Sequence, residues 1–189
     1  MIGQLAKAPN QLTLLRLVFI PFIIIAILDE HYDWALGLFV LAGISDGLDG
    51  LLARVLKQKT VLGQYLDPIA DKLLLSTMLV VLAFTRRIPW QFTVLVLFRD
   101  IAMVITAGVL YATETLREFP PTMLGKLNTV AQIIGILFVL IREMRPERWA
   151  WQAKWISLWT VVALTVASGV HYVILVNRRI RAQHAERQR

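Results

Sequence analysis

The chain contains 189 residues, which suits a single domain, and we predict one membrane domain over residues 1–189. Hydrophobic residues make up 57% of the sequence and charged residues only 17%, a composition typical of membrane proteins rather than soluble domains. The lack of cysteine excludes a disulfide framework and a thiolate metal site. The net charge of +7 could favour binding to nucleic acid or to anionic lipid, but the basic residues flank apolar runs. We therefore expect contact with a lipid surface and no nucleic-acid partner.

Six hydrophobic segments approach or exceed the length that a helix needs to cross a bilayer. In chain order they cover about 12–28, 34 into the 50s, 66–84, 89–111, 127–141 and 155–176. Residues 1–8 precede them with apolar side chains at helical spacing and are followed by Pro9, which is compatible with a short interfacial helix and equally with a flexible terminus. The sequence therefore predicts an all-α integral membrane fold, with six transmembrane helices and a short N-terminal interfacial helix.

The basic residues near the span ends predict the orientation. With six spans both termini lie on one side, together with Lys7, Lys57, Lys59, Arg117 and the basic C-terminal tail. The positive-inside rule then favours cytoplasmic termini. Several tryptophans fall near span ends on the opposite side, as in the aromatic belt of a membrane protein.

Four aspartates interrupt the second and third apolar segments: Asp46, Asp49, Asp67 and Asp71. A charge inside a membrane helix costs at least about 2.5–3.5 kcal/mol, so four carboxylates so close together require a function. The alternative, that they are loop acids outside the membrane, fits this apolar stretch less well.

The spacing of these aspartates indicates that they act together. Asp46 and Asp49 are three residues apart, and Asp67 and Asp71 are four apart, so each pair shares a helix face. Carboxylates gathered in a low dielectric repel one another unless cations neutralise them. Oxygen ligands suit hard divalent ions such as magnesium, manganese or calcium.

Small residues and one arginine accompany the first pair. Gly50 and Ala53 follow Asp46 and Asp49 by four positions each and leave their helix face nearly free of bulk. A large polar ligand could therefore lie close to the backbone, and Arg54 could bind a phosphate group of that ligand.

These residues resemble the CDP-alcohol phosphatidyltransferase family, whose signature is D-x2-D-G-x2-A-R-x8-G-x3-D-x3-D. Every fixed position of that pattern is present: Asp46, Asp49, Gly50, Ala53, Arg54, Gly63, Asp67 and Asp71. The stretch from Pro9 to Arg16 also resembles the P-N-x-x-T-x-x-R element of the family, through Asn10, Thr13 and Arg16. Together with the six spans, the likeness covers nearly the whole chain.

The resemblance implies a two-metal centre that contains Mg²⁺ or Mn²⁺. Asp46, Asp49 and Asp67 would ligate the ions, while Asp71 would complete the centre or face the acceptor as general base. An acceptor hydroxyl would attack the lipid-side phosphorus of CDP-diacylglycerol, and CMP would leave. The CDP-lipid would be bound by Gly50, Ala53, Arg54 and Gly63, with Asn10, Thr13 and Arg16 bordering the same pocket.

The family also implies a homodimer in a bacterial-type inner or plasma membrane, with the active site on the cytoplasmic face. There a lipid donor can enter sideways and a water-soluble CMP can leave.

Two places in the second half of the chain bear on the acceptor. Arg99 and Asp100 lie inside the fourth span, and Lys126 and Asn128 lie at the start of the fifth, followed by Gln132. Cardiolipin synthases of this family resemble R-D and K-x-N-T-x-x-Q here, whereas phosphatidylglycerophosphate synthases tend to show R-E and G-K-x-K-T. Both positions favour phosphatidylglycerol as the acceptor, and glycerol 3-phosphate is the alternative.

Each of these places also has a purely structural interpretation. Arg99 and Asp100 could form an ion pair between spans, and the stretch around Lys126 could cap a helix. For the whole chain, intramembrane carboxylates are also found in divalent cation transporters. A silent membrane scaffold is a third possibility. The clustering of the acids with glycine, alanine and Arg54 towards one end of adjacent spans favours the enzyme.

Overall fold

The computed structural model describes residues 8–55, 61–112 and 123–187, with side-chain surroundings for 15–45, 69–106 and 123–178. In these ranges the chain is all-helical, as predicted, and forms six helices. They are α1 Ala8–Leu28, α2 Tyr32–Val55, α3 Val61–Phe84, α4 Trp90–Ala112, α5 Met123–Met144 and α6 Arg148–Arg187. A helix satisfies its own backbone hydrogen bonds, which is what a lipid environment demands of an apolar segment.

The six helices correspond to the six predicted segments but are longer. Helix α1 begins at Ala8, so Ala8 does not belong to the predicted interfacial helix, whose residues 1–7 lie outside the described ranges. Proline is tolerated in the first turn because that N–H has no partner within the helix, which explains how Pro9 fits α1. Helix α6 has 40 residues, against a predicted span of 155–176, because helical hydrogen bonding continues past the apolar stretch.

The helices form one bundle around a continuous apolar core. Helix α1 packs on α2 and α3, α5 packs on α6, and α4 contacts α3 and α6. Ile23, Ile27, Leu82 and Leu140 are completely buried in this core. Helices α5 and α6 approach closely at Gly135, where an added Cβ would lie 3.3 Å from Val161 Cγ2.

The outer surface of the bundle is also apolar. Phe98, Ile156 and Trp34 are 72%, 68% and 67% exposed, and many other large apolar side chains share this surface. Such a surface suits lipid contact and not water. Among the described residues, Met123–Met144 and Arg148–Arg178 are long and apolar enough to cross a bilayer, and Leu15–Leu28 and Tyr32–Ser45 form shorter apolar helices.

Charged side chains tie three helix connections together at one end of the bundle. Arg87, which follows α3, donates from Nη1 to Glu143 at 2.8 Å and from Nη2 to Glu30 at 2.6 Å. Lys154 Nζ lies 3.5 Å from the other oxygen of Glu143, and the Arg87 guanidinium lies 5.2 Å from the centre of the Tyr32 ring. We call this group the Arg87 cluster. Burial lowers the pKa of Arg87, but the carboxylates of Glu143 and Glu30 outweigh it and raise the pKa, so Arg87 stays charged.

The backbone turns that position this cluster are strained. A left-handed residue lies two positions after the end of α1 and of α3, Glu30 with φ 61° and Arg86 with φ 59°. The amides of the next residues, His31 and Arg87, bond back to Ala26 and Leu82, as in a Schellman motif. A side chain in this conformation costs about 1–2 kcal/mol relative to the right-handed helix. The ion pairs of the Arg87 cluster help to offset that cost.

Candidate active site

An ion pair joins two of the predicted site residues. Arg16 Nη1 on α1 lies 2.5 Å from Asp71 Oδ1 on α3, although 55 positions separate them in the sequence. The Arg16 side chain is 1% exposed, whereas that of Asp71 is 42% exposed. A charge-assisted bond of this kind fixes the orientation of the carboxylate. The Asp71 carboxylate is therefore bound by a buried arginine on one side and remains accessible from outside the bundle on the other.

A cavity of about 380 Å³ contains this ion pair in its wall. The rest of the lining comes from α2, α3 and α5 and is apolar apart from Thr129, as at Ile44, Leu74 and Ile133. Ligand sites typically combine such apolar walls with a few placed polar groups. The cavity can thus accept an apolar chain whose polar end reaches Arg16 and Asp71.

The other signature aspartates lie on the helices that form this cavity. The α2 part of the wall ends at Ile44, and the same helix continues directly into Asp46 and Asp49. Asp67 is one turn before Asp71 on α3. The side chains of all three lie outside the described ones, so their prediction as metal ligands stays a prediction.

The residues predicted to bind the CDP-lipid also remain predictions, apart from Arg16, whose side chain is described. Their backbones belong to α1, α2 and α3, and their side chains lie outside the described ranges: Asn10, Thr13, Gly50, Ala53, Arg54 and Gly63.

Divalent ions fit the donors that this region offers. The predicted ligands are all carboxylates, which magnesium and manganese prefer over softer metals. Asp71, whose side chain is described, is accessible and already oriented by Arg16. The arrangement on α2 and α3 is thus compatible with the two-metal centre that the sequence predicts.

A second ion pair connects α3 with α4. Asp100 Oδ2 accepts Lys72 Nζ at 3.0 Å, and Asp100 Oδ1 accepts Arg99 Nη1 at 2.7 Å. Arg99 and Asp100 are 8% and 9% exposed. Lys72 directly follows Asp71, so the acidic site and this buried pair meet at consecutive residues of α3. Part of the role of Asp100 is therefore structural, since it links two helices.

The polar contacts continue from α4 through α6 to α5. Arg99 Nε donates to Ser168 Oγ at 3.1 Å, and Thr165 Oγ1 donates to Asn128 Oδ1 at 3.0 Å. Ser168 Oγ in turn donates to the backbone oxygen of Thr165. Asn128 is completely buried. The two predicted acceptor places, on α4 and α5, thus belong to one buried polar network.

The remaining acceptor candidates are placed differently. Lys126 is exposed near the start of α5, and Gln132, one turn beyond Asn128, is 3% exposed. Thr129 donates its hydroxyl to the backbone oxygen of Gly125.

The sequence pattern did not predict a role for Lys72, Thr165 or Ser168. Thr165 and Ser168 are three residues apart in an otherwise apolar span and therefore lie on one helix face. That spacing of polar residues could have indicated that this face contacts other polar groups.

We expect Thr165→Val to destabilise the protein by about 1–3 kcal/mol, because it leaves a buried amide oxygen of Asn128 without its donor. Valine preserves the shape of the side chain, so the effect reports the hydrogen bond. Thr160→Val is the matched control, since that exposed hydroxyl on the same helix bonds only within its own turn, to Ile156. Denaturant unfolding in detergent measures both. Equal stability of the two variants would contradict the prediction.

Comparison with known proteins agrees with the signature. A sequence model of the CDP-alcohol phosphatidyltransferase family matches residues 6–167. The CDP-diacylglycerol–glycerol-3-phosphate 3-phosphatidyltransferase of Bacillus subtilis is 33% identical over 180 residues, which cover 87% of this chain and 92% of the relative. The CMP-forming cardiolipin synthase of Rattus norvegicus is 32% identical over 181 residues, 86% of this chain and 59% of the relative.

A third relative, from Mycobacterium bovis, has a provisional name as a cardiolipin synthase and is 33% identical over 145 residues, 76% of this chain and 69% of the relative. The names of these relatives include both acceptors considered above. The family match nevertheless decides between the enzyme, the transporter and the scaffold. This chain belongs to the CDP-alcohol phosphatidyltransferase family and is an enzyme of that family.

Proposed function

We propose that the protein transfers the phosphatidyl group of CDP-diacylglycerol to a hydroxyl of phosphatidylglycerol, which yields cardiolipin and CMP. The observation that carries this proposal is the Arg16–Asp71 pair in the wall of an apolar cavity. A lipid chain can occupy such a cavity from the bilayer while its polar end reaches a carboxylate oriented by a buried guanidinium.

The chemistry requires one proton transfer and one phosphoryl-type substitution. Asp71 is the general base that accepts the proton of the acceptor hydroxyl, and Arg16 keeps its carboxylate in place. The hydroxyl oxygen forms a bond to the lipid-side phosphorus as the bond from that phosphorus to the CMP oxygen breaks. Asp46, Asp49, Asp67 and Asp71 would hold two Mg²⁺ or Mn²⁺ ions, which supply neutralisation of the diphosphate charge.

The CDP-lipid is bound along the helix faces that flank the aspartates. We assign its diphosphate and cytidine to Gly50, Ala53, Arg54 and Gly63, bordered by Asn10, Thr13 and Arg16. The small residues leave room beside the helix backbone, and the arginines complement the negative charge of the diphosphate.

The choice of acceptor depends on α4 and α5. Arg99, Asp100, Lys126 and Asn128 are its proposed determinants. A lysine at position 128, as in G-K-x-K-T, would bring a charge into a completely buried position whose side chain now accepts one neutral hydrogen bond, from Thr165. This environment favours the amide, and with it phosphatidylglycerol. Glycerol 3-phosphate is the second candidate, because relatives of similar identity are named for it.

For the assembly we propose six membrane spans in a bacterial-type inner or plasma membrane, with both termini and the active site on the cytoplasmic side. The apolar outer surface supports a membrane location, and the distribution of basic residues supports this orientation. A homodimer is proposed from the family resemblance.

The acceptor is tested with purified protein, Mg²⁺ or Mn²⁺, and labelled CDP-diacylglycerol. Phosphatidylglycerol and glycerol 3-phosphate are offered in separate reactions, each with a no-acceptor blank and a chelator-treated sample. We expect cardiolipin and CMP from phosphatidylglycerol only, and loss of both after chelation. Phosphatidylglycerophosphate formed instead would contradict the acceptor assignment, and full activity in the chelator would contradict the metal requirement.

A further inference from the structure

A second apolar crevice, of about 440 Å³, lies between α4 and α6. Its α4 wall runs from Leu95 to Thr106 and its α6 wall from Thr165 to Ile174. One lining residue, Phe98, is 72% exposed, so the crevice opens to the outside of the bundle. In a membrane that outside is lipid. The volume falls within the usual range of ligand sites, roughly 300–1,000 Å³.

Two polar atoms of the crevice lining lack hydrogen-bond partners within the described part of the chain. They are Nη2 of Arg99 and the hydroxyl of Tyr172, and both are buried. The other two nitrogens of the Arg99 guanidinium already have partners: Nη1 donates to Asp100 and Nε donates to Ser168. This leaves Nη2 to donate to a ligand. A buried donor without a partner is unfavourable, so a ligand that accepts a hydrogen bond here would recover free energy.

The charge around this crevice favours an anion. Asp100 lies between two cations, Arg99 and Lys72, so the three side chains together have a net charge of +1. A phosphodiester has one negative charge and free oxygens that accept from guanidinium and phenol groups. An apolar groove next to a group with one net positive charge, and with Arg99 and Tyr172 in its lining, matches a diacyl phospholipid with an anionic headgroup.

We propose that the α4–α6 crevice binds the acyl chains of the acceptor lipid, with its phosphodiester against Arg99 and Tyr172. This inference rests on the proposed function, in which that lipid is phosphatidylglycerol. Asp71 belongs to the first cavity, and the next residue, Lys72, contacts Asp100 beside the crevice. Successive helix residues point about 100° apart, so the two lipids approach α3 from different directions and meet at these consecutive residues.

Gly169 provides a way to fill the crevice. A Cβ at this position would lie 3.9 Å from Arg99 Cγ, an ordinary contact, so the backbone need not move. In Gly169→Leu the branched end of the side chain would occupy the space next to Arg99. Gly37→Leu is the matched control, because Gly37 is exposed on α2 and a Cβ there meets nothing within 4 Å.

The experiment uses the full-length protein in nanodiscs with a photoactivatable phosphatidylglycerol, together with steady-state kinetics. For Gly169→Leu we expect at least a tenfold increase in KM for phosphatidylglycerol and a matching loss of crosslinking to α6. KM for CDP-diacylglycerol should stay within twofold, and Gly37→Leu should behave as wild type. Tyr172→Phe, which removes only a hydroxyl, should raise the same KM about threefold and provides the test if Gly169→Leu does not fold.

Several outcomes overturn this proposal. One is an unchanged KM and unchanged crosslinking in Gly169→Leu and Tyr172→Phe. Another is equal labelling of the crevice by a photoactivatable diacylglycerol, which lacks the phosphodiester, because this would exclude recognition of the phosphodiester by Arg99 and Tyr172. A change of oligomeric state in Gly169→Leu would assign the crevice to a second copy of the chain.

The test also separates this proposal from the proposed function. Wild-type protein whose crevice is labelled by phosphatidylglycerol, but which makes no cardiolipin, contradicts the proposed function and leaves the lipid site standing. Cardiolipin synthesis with a KM for phosphatidylglycerol that does not change in Gly169→Leu or Tyr172→Phe supports the proposed function and contradicts the lipid site.

Discussion

Asp71→Asn is expected to lower kcat by a factor of about 10²–10⁴, the usual contribution of a general base. Asparagine has nearly the same shape, and its amide oxygen can still accept from Arg16, which contacts Asp71 at 2.5 Å. The variant therefore loses the ability to take a proton and to serve as a charged metal ligand. CMP release from labelled CDP-diacylglycerol at saturating acceptor and metal measures the effect.

Asp33→Asn is the control for this substitution, because Asp33 is exposed in the first turn of α2 and the same charge is removed away from the site. We expect it to retain full activity. Thermal unfolding of Asp33→Asn should resemble that of wild type, whereas Asp71→Asn should unfold at a lower temperature because the buried Arg16 loses the charge of its partner carboxylate, so kcat is compared below that temperature. More than a tenth of wild-type kcat in folded Asp71→Asn would contradict the role assigned to Asp71.

Glu143→Gln is expected to destabilise the bundle by about 1.5–3 kcal/mol, the usual contribution of hydrogen bonds between charged groups, because these ion pairs are partly buried. The side chain of Glu143 is 14% exposed and contacts two cations, Arg87 at 2.8 Å and Lys154 at 3.5 Å. Glutamine preserves the shape but leaves both positive charges near one another without a counter-charge between them. Denaturant titration in detergent, monitored by circular dichroism, measures the loss.

The Arg87 cluster contains its own control. Glu30→Gln removes a carboxylate from the same guanidinium, but the Glu30 side chain is 71% exposed. An exposed ion pair contributes at most about 1 kcal/mol, so this variant should be only slightly destabilised. Activity of Glu143→Gln at low temperature should be near normal, since no predicted site residue belongs to the cluster. Equal destabilisation by both substitutions would mean that burial does not set the strength of these pairs.

The number and order of the helices in the described ranges could be predicted from the sequence because each apolar segment has its own local signal. The ends of the helices were harder to predict, as α6 illustrates: hydropathy defined 155–176, whereas the helix is Arg148–Arg187. The length of an apolar segment indicates how much of the helix can lie in lipid. The helical hydrogen bonds continue beyond that segment wherever the flanking residues are compatible with a helix.

The candidate site was predictable to the extent that its residues form a fixed pattern. The signature identified Asp71, and the N-terminal element identified Arg16, but their contact depends on how α1 packs on α3. The same limit applies to the Arg87 cluster, whose members lie in or next to three separate helix connections. Each of those residues appears in the sequence as an ordinary charge near a span end. Only tertiary packing reveals that Glu143 lies between two cations.

The Arg87 cluster holds one end of the bundle, so we expect any opening to occur at the other end. Arg87 follows the end of α3, and Asp71 lies about 20 Å back along the axis of that helix. Helices whose connections are held together at one end separate by tilting about that end, so the gap between them widens with distance from it. A tilt of about 5° would displace the helix at Asp71 by roughly 2 Å. Changes that strengthen the Arg87 end should therefore raise the melting temperature without slowing the exchange of lipids at the other end.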